Sequence, residues 1–236
     1  MEGFARYEGY RDSGVEWLGV IPADWELKKL GTVFEERREV VSDRDFPPLS
    51  VTKKGILPQL ENAAKTNDGD NRKCVRKGDF VINSRSDRKG SSGVAKEDGS
   101  VSLINIVLKP FGIDGRFCEH LLKSHRFIEE FYRHGHGIVA DLWTTKYWDM
   151  KSIYIPFPDL DVQQRIAHFL DQKTAEIDAA IAKKQRLIEL LKEQKAILIN
   201  RAVTKGLNPD ALMRDSGVEW IGEVPAHWEI RRVKNI

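Results

Sequence analysis

The chain has 236 residues, 41% of them hydrophobic and 31% charged, with a net charge of +2. That is enough apolar material for one packed domain plus an extended element. No run approaches the ~18 apolar residues of a membrane span, and residues 1–14 lack the apolar core of an export signal. Cys74 and Cys118 lie far apart without a CxxC spacing, so neither a disulfide framework nor a zinc site is indicated, and a reducing cytoplasm is expected.

In chain order, the first element is an arm over residues 1–26, with Trp17 and Trp25 flanking Pro22 and turns expected at Gly14 and Gly19. It recurs at the other end. Residues 11–33 and 214–236 align at an offset of 203, with 12 of 23 positions identical and seven more conservatively exchanged. So long a period is no solenoid repeat of 20–50 residues. It marks one whole unit followed by the opening of a second, whether the chain is a fragment or a half-length form that pairs with itself.

Residues 27–158 read as one mixed α/β (α+β) domain. The run 75–83 predicts a turn at Lys77-Gly78-Asp79 opening a buried strand, and 101–110 predicts a strand stopped by Pro110. Apolar residues at Phe117, Leu121, Phe127, Ile128 and Phe131 predict one amphipathic helix over 117–135. Residues 152–158 predict a last strand. Between 84 and 100 lies a long polar stretch, expected to be a functional loop because credible strands hold both ends. From Arg72 to Lys89 seven basic residues face two acids, +5 in 18 positions. A solvated face is the ordinary reading of such a run, and a polyanion footprint requires these side chains to share one surface.

Past Pro158 neither proline nor glycine appears from Val162 to Val203, and the apolar spacing is helical. One register puts Leu170, Ile177, Leu191 and Leu198 at d, with Ile181 and Ile188 at a. Lys184 and Lys195 interrupt this seam. A helix of ~40 residues spans ~60 Å, more than a domain of this size covers, so its stripe is expected to pack on another long helix. The long helix is assigned to 159–206, ended by Gly206 and Pro209, and the second arm to 207–236.

Three catalytic patterns fail on context. Asp159, Asp171 and Lys173 spell a PD…(D/E)xK formula, but the last two fall in the helical run, where they do not share a face as on a strand. Gly135-His136-Gly137…Ala140 follows a helix where a dinucleotide fingerprint needs a strand. His134 and His136 have only Asp141 as a neighbouring ligand type. No catalysis, metal or cofactor is expected.

These pieces resemble the specificity subunits of Type I DNA restriction–modification systems. The resemblance rests on Ser13-Gly14-Val15-Glu16-Trp17 with Ile21-Pro22 and Trp25, on Lys77-Gly78-Asp79, and on Ile155-Pro156-Phe157-Pro158. It continues through Gln163-Gln164-Arg165-Ile166-Ala167, Phe169-Leu170-Asp171 and Ala202-Val203-Thr204-Lys205-Gly206-Leu207. It implies a non-enzymatic reader of double-stranded DNA, with a target-recognition domain on a coiled-coil-type helix. Each head would read one half of a split target, with modification subunits and, through them, restriction subunits as partners. With one head and one long helix, this chain is expected to form a homodimer through Leu170, Ile177, Ile181, Ile188, Leu191 and Leu198. A scaffold that docks modification subunits without reading DNA is the competing expectation. Base readout needs directional donors, supplied by Ser84, Arg85, Ser86, Arg88, Ser91, Ser92 and Thr145. Lys53, Lys54, Arg72, Lys73, Lys89 and Lys146 suit phosphates.

Overall fold

The computed structural model describes residues 7–59, 69–137, 143–232 and 234. It opens on a clasp in which β1 (Tyr10–Asp12) pairs antiparallel with β2 (Val20–Pro22), Arg11 opposite Ile21. Asp12 Oδ1 accepts from the Gly14 amide at 2.9 Å, and Ser13 Oγ from that of Val15 at 3.1 Å. Gly14 sits at φ 67°, a left-handed backbone that a side chain strains. The Arg11 guanidinium closes the clasp by donating to the Trp25 carbonyl at 2.7 Å.

The strands that follow are β3 (Glu26–Lys29), β4 (Phe34–Glu36), β5 (Val40–Val41), β6 (Leu49–Thr52) and β7 (Gly55–Pro58). After them come β8 (Arg72–Val75), β9 (Phe80–Asn83), β10 (Ser92–Val94), β11 (Gly99–Val101) and β12 (Asn105–Pro110). An antiparallel sheet runs β10-β9-β12-β4, a second runs β11-β8-β5, and β6 pairs β7 as a hairpin. Successive strand residues point to opposite faces, and here both faces are covered. Phe80, Ile82, Ile106 and Leu108 enter a core with Phe34, Phe127 and Phe131, whereas Val81 and Val107 enter a smaller one with Val75, Leu49 and Ile56. Burial on both sides is why these strands read as apolar runs without alternation.

Three helices follow, α1 (Gly115–Leu122), α2 (His125–Arg133) and α3 (Tyr147–Met150). β13 (Tyr154–Phe157) then returns to pair with β3, Tyr154 opposite Lys29 and Phe157 opposite Glu26. Pro156 is tolerated because this ribbon has two strands and the ring faces no further ladder.

The mixed α/β class agrees with expectation; three local expectations are revised. Residues 117–135 form two helices, because the Ser124 hydroxyl accepts from the Phe127 amide and starts a new one. Residues 101–110 form parts of β11 and β12 in different sheets, with Leu103 and Ile104 in the exposed turn between them. The polar stretch 84–100 is no single loop, since it contains a 3-10 turn (Ser86–Arg88), β10 and the start of β11.

The chain divides into two units, Met1–Asp171 and Gln172–Ile236. α4 (Leu160–Lys205) runs for 46 residues, about 69 Å at 1.5 Å per residue. Its first turns are fastened within the first unit. The buried Gln163 amide accepts from the Asp114 N–H at 2.9 Å and donates to the Pro158 carbonyl at 2.8 Å, and Asp171 lies 2.7 Å from His120 Nε2. In the second unit Ile177, Ile181, Ile188, Leu191 and Leu198 are 46–61% exposed, while Leu170 in the first is half-buried. Gly206 ends the helix at φ 73°. A second clasp, β14 (Met213–Asp215) with β15 (Glu223–Pro225), repeats the register of the first at the same offset. None of the helices is long and apolar enough to cross a membrane among the described residues.

Candidate nucleic-acid interface

The C-terminal end of β9 and the N-terminal end of β12 meet at one end of the four-stranded sheet, Asn83 opposite Asn105. The chain leaving β9 is clamped there. The Thr145 amide donates to the Ser84 carbonyl and the Ser86 amide to that of Trp143, both at 3.0 Å, while Thr144 bridges Arg85 on one side and His136 on the other. The Asn83 side chain accepts from the Arg85 amide at 3.0 Å and turns the backbone outward. Arg85 and Arg88 then flank one carboxylate, with Asp87 3.1 Å from the first guanidinium and 3.7 Å from the second. Two cations around one anion leave a net positive turn at the surface.

A recess of about 330 Å³ opens beside this turn, and five predicted residues line it: Lys73, Ser84, Arg85, Thr145 and Lys146. Across it stands Trp148, 61% exposed, with Lys151 Nζ 3.6 Å from the ring centroid and Arg38 5.9 Å away. An indole with cations over its face combines stacking surface and positive charge. A larger recess of about 780 Å³ is lined by Trp143, Ser86, Lys89, Arg126 and the clasp residue Trp17. Inside it Lys89 Nζ meets Glu129 at 2.6 Å and holds that carboxyl below its usual range. Burial pushes the neighbouring Glu130 upward, but its hydrogen bonds to Arg133 and His134 outweigh this and its pKa is lowered. Desolvation raises the Tyr132 hydroxyl well above the ordinary phenol value while it donates to the Asn83 carbonyl.

The predicted residues thus divide into two groups. Arg88 and Lys146 are exposed at one end of the sheet, with Arg85, Ser86 and Lys89 half-buried beside them. Lys53 and Lys54 are exposed at the tip of the β6–β7 hairpin, a separate element. The remainder are enclosed and serve the fold. Arg72 is 4% exposed and donates to the Ser100 hydroxyl at 2.8 Å and carbonyl at 3.1 Å, and desolvation lowers its pKa. Lys73 donates to Glu36 and to the Asn105 carbonyl. Ser84 donates to the Ile104 carbonyl and Thr145 to that of Phe131, and Ser91 and Ser92 are buried at β10. Arg72, Lys73 and Ser92 lie in strands and Ser84, Ser91 and Thr145 in the segments hydrogen-bonded beside them, so the +5 run does not present one surface. Sequence reasoning missed Trp148 and Lys151, which are near neighbours in the chain, and Arg38, which is far from both.

The other patterns are structural in form. Asp171 engages His120 and Arg116, and Lys173 pairs with Glu176 along α4. His134 pairs with Glu130 and His136 with Asp149. Ala140 and Asp141 lie outside the described residues. No group of three potential metal ligands occurs among the described residues.

The fold is shared with two solved chains. One is the HsdS subunit from Thermoanaerobacter tengcongensis, 21% identical over 84% of this chain and 48% of that one, with a TM-score of 0.53. The other comes from a structural study of complex assembly and conformational transition of the type I R-M system, 19% identical over 84% of this chain and 49% of that one, with a TM-score of 0.62. This chain spans about half the length of each. A family model, the Type I restriction modification DNA specificity domain, matches residues 22–190. The chain belongs to that family.

Proposed function

We propose that this chain is a non-catalytic, sequence-specific DNA-recognition subunit of a Type I restriction–modification complex. Its head reads one half of a bipartite duplex target, and α4 pairs with a second copy so that two heads sit a fixed distance apart. Modification subunits join this pair and bring restriction subunits with them. The chain itself contributes no cofactor and no bond-making step. The observation that carries the reading is the cationic rim of Arg85, Arg88, Lys146 and Trp148 on a head continued by a helix with an exposed apolar seam. Such a rim offers donors to base edges and charge to phosphates.

In this reading Arg85 and Arg88 address bases, with Ser86 as an adaptable partner. Lys89, Lys146, Lys53 and Lys54 address phosphates. Selection of bound fragments from random duplex DNA, with and without modification subunits, tests the proposal. The expected product is a split motif with twofold symmetry and a constant spacer. Recovery of unrelated sequences under both conditions overturns it.

A further inference from the structure

Between Val101 and Asn105, both buried, the chain turns through Leu103 and Ile104, which are 43% and 44% exposed. Surface turns are ordinarily built from small polar residues, and aliphatic side chains left in water forgo the gain of burial. This turn is nonetheless pinned from several sides. The Asn105 amide and side chain both donate to the Ser102 carbonyl at 3.0 Å. The Ser84 hydroxyl donates to the Ile104 carbonyl, and Lys73 Nζ to the Asn105 carbonyl at 2.8 Å. A fixed backbone thus presents two adjacent aliphatic side chains to solvent at a defined place.

That place is the cationic rim. Ser84, which grips the Ile104 carbonyl, is followed directly by Arg85. Leu103 and Ile104 line the same recess as Arg85, Lys146 and Trp148. Single exposed apolar residues are common on protein surfaces; a pinned pair beside cations is a more specific arrangement. Aliphatic carbon has nothing to offer a phosphate. Among the groups that base pairs display in the major groove, the apolar one is the C5-methyl of thymine.

We infer that Leu103 and Ile104 are specificity-determining residues that read a thymine by its C5-methyl group. The inference rests on the proposed DNA reading and adds one base type to it, and it requires a single head only. Arg85 and Lys146 hold the polyanion beside the pair, a charge complementarity that favours DNA over an apolar protein surface as the occupant. The Ser84 hydroxyl bridge keeps the aliphatic pair and the arginine in constant relation, so that charge and methyl contact are made together.

Uracil scanning tests this. In the duplex selected by the full chain with purified modification subunits, uracil replaces thymine at one position at a time, and affinity is read by titration. At one thymine per half-site the missing methyl is expected to weaken binding about three- to tenfold, the worth of burying one such group. The double variant Leu103→Ser, Ile104→Ser is expected to bind the thymine duplex as weakly as the uracil duplex, so that the exchange no longer matters. Tolerance of uracil at every position, with the selected duplex still preferred over others, overturns this inference alone. Loss of all sequence preference in the wild type defeats the DNA reading as well. A selected half-site without thymine overturns the inference, as does a double variant that keeps the full thymine-to-uracil ratio. So does a double variant that loses only modification-subunit binding, because the pair would then serve that partner. The scan of the wild type needs no variant, so it decides the matter if the double variant fails to fold by circular dichroism.

Discussion

Arg85 and Arg72 carry the same charge in the same basic run, yet their surroundings give them opposite tasks. Arg85 stands at the rim with its side chain 39% exposed and one shared carboxylate. Replacing it with alanine is expected to cost about 1–3 kcal/mol of DNA binding and to relax preference at one base position. A binding titration on the wild-type target and its single-base variants checks both, and unaltered affinity and preference would remove Arg85 from the proposed reading set. Arg72→Met instead leaves Ser100 without its buried donor and is expected to destabilise the fold by about 1–3 kcal/mol. Urea unfolding reads that loss, while DNA affinity per folded molecule is expected to stay within twofold. The polar residue types of the rim were legible in the chain, but burial was not. Whether a serine in a basic run faces solvent or lies beneath a neighbouring strand depends on pairings such as Ser92 opposite Ile82, which are non-local.

Among the elements, α4 was the most legible, because 3.6-residue periodicity and a glycine stop are local signals. Its observed ends, Leu160 and Lys205, fall within a residue of the assigned span. Ile181 and Leu191 are exposed, as the proposed pairing of two such helices requires. Aspartate at either position would place an unpaired charge in that seam, a burial costing several kcal/mol. Ile181→Asp and Leu191→Asp are each expected to shift the chain to monomer in sedimentation, with unaltered circular dichroism. A dimer persisting in both would exclude the seam as the joint. The break between α1 and α2 was missed, although Ser124, a strong N-cap residue within an otherwise continuous pattern, carried a local signal for it. The division of 101–110 was missed as well. Val-Ser-Leu-Ile-Asn-Ile-Val reads as one strand, and the Asn105 amide and side chain both donating to the Ser102 carbonyl reveal the turn.

For the molecule as a whole, a net charge of +2 gives little long-range attraction for a polyanion. Binding then depends on a few local cations, which is measurable. With about four to six phosphate contacts per head, the slope of log affinity against log salt is expected near −4 to −5 per head and about twice that for a pair. A slope shallower than −2 for the pair would contradict the proposed phosphate set of Lys53, Lys54, Lys89 and Lys146. The register of β3 against β13 has a separate consequence. Lys29 enters the head directly opposite Tyr154, where the chain leaves it, and Lys28 Nζ rests 3.7 Å from the Phe157 ring across the same ribbon. Entrance and exit are therefore side by side, like the two ends of a buttonhole. In the proposed reading, a replacement of the stretch between them changes what the head addresses without moving either doorway, provided that it keeps the footholds of Phe127 on Trp17, Arg133 on Glu16 and Asp114 on Gln163.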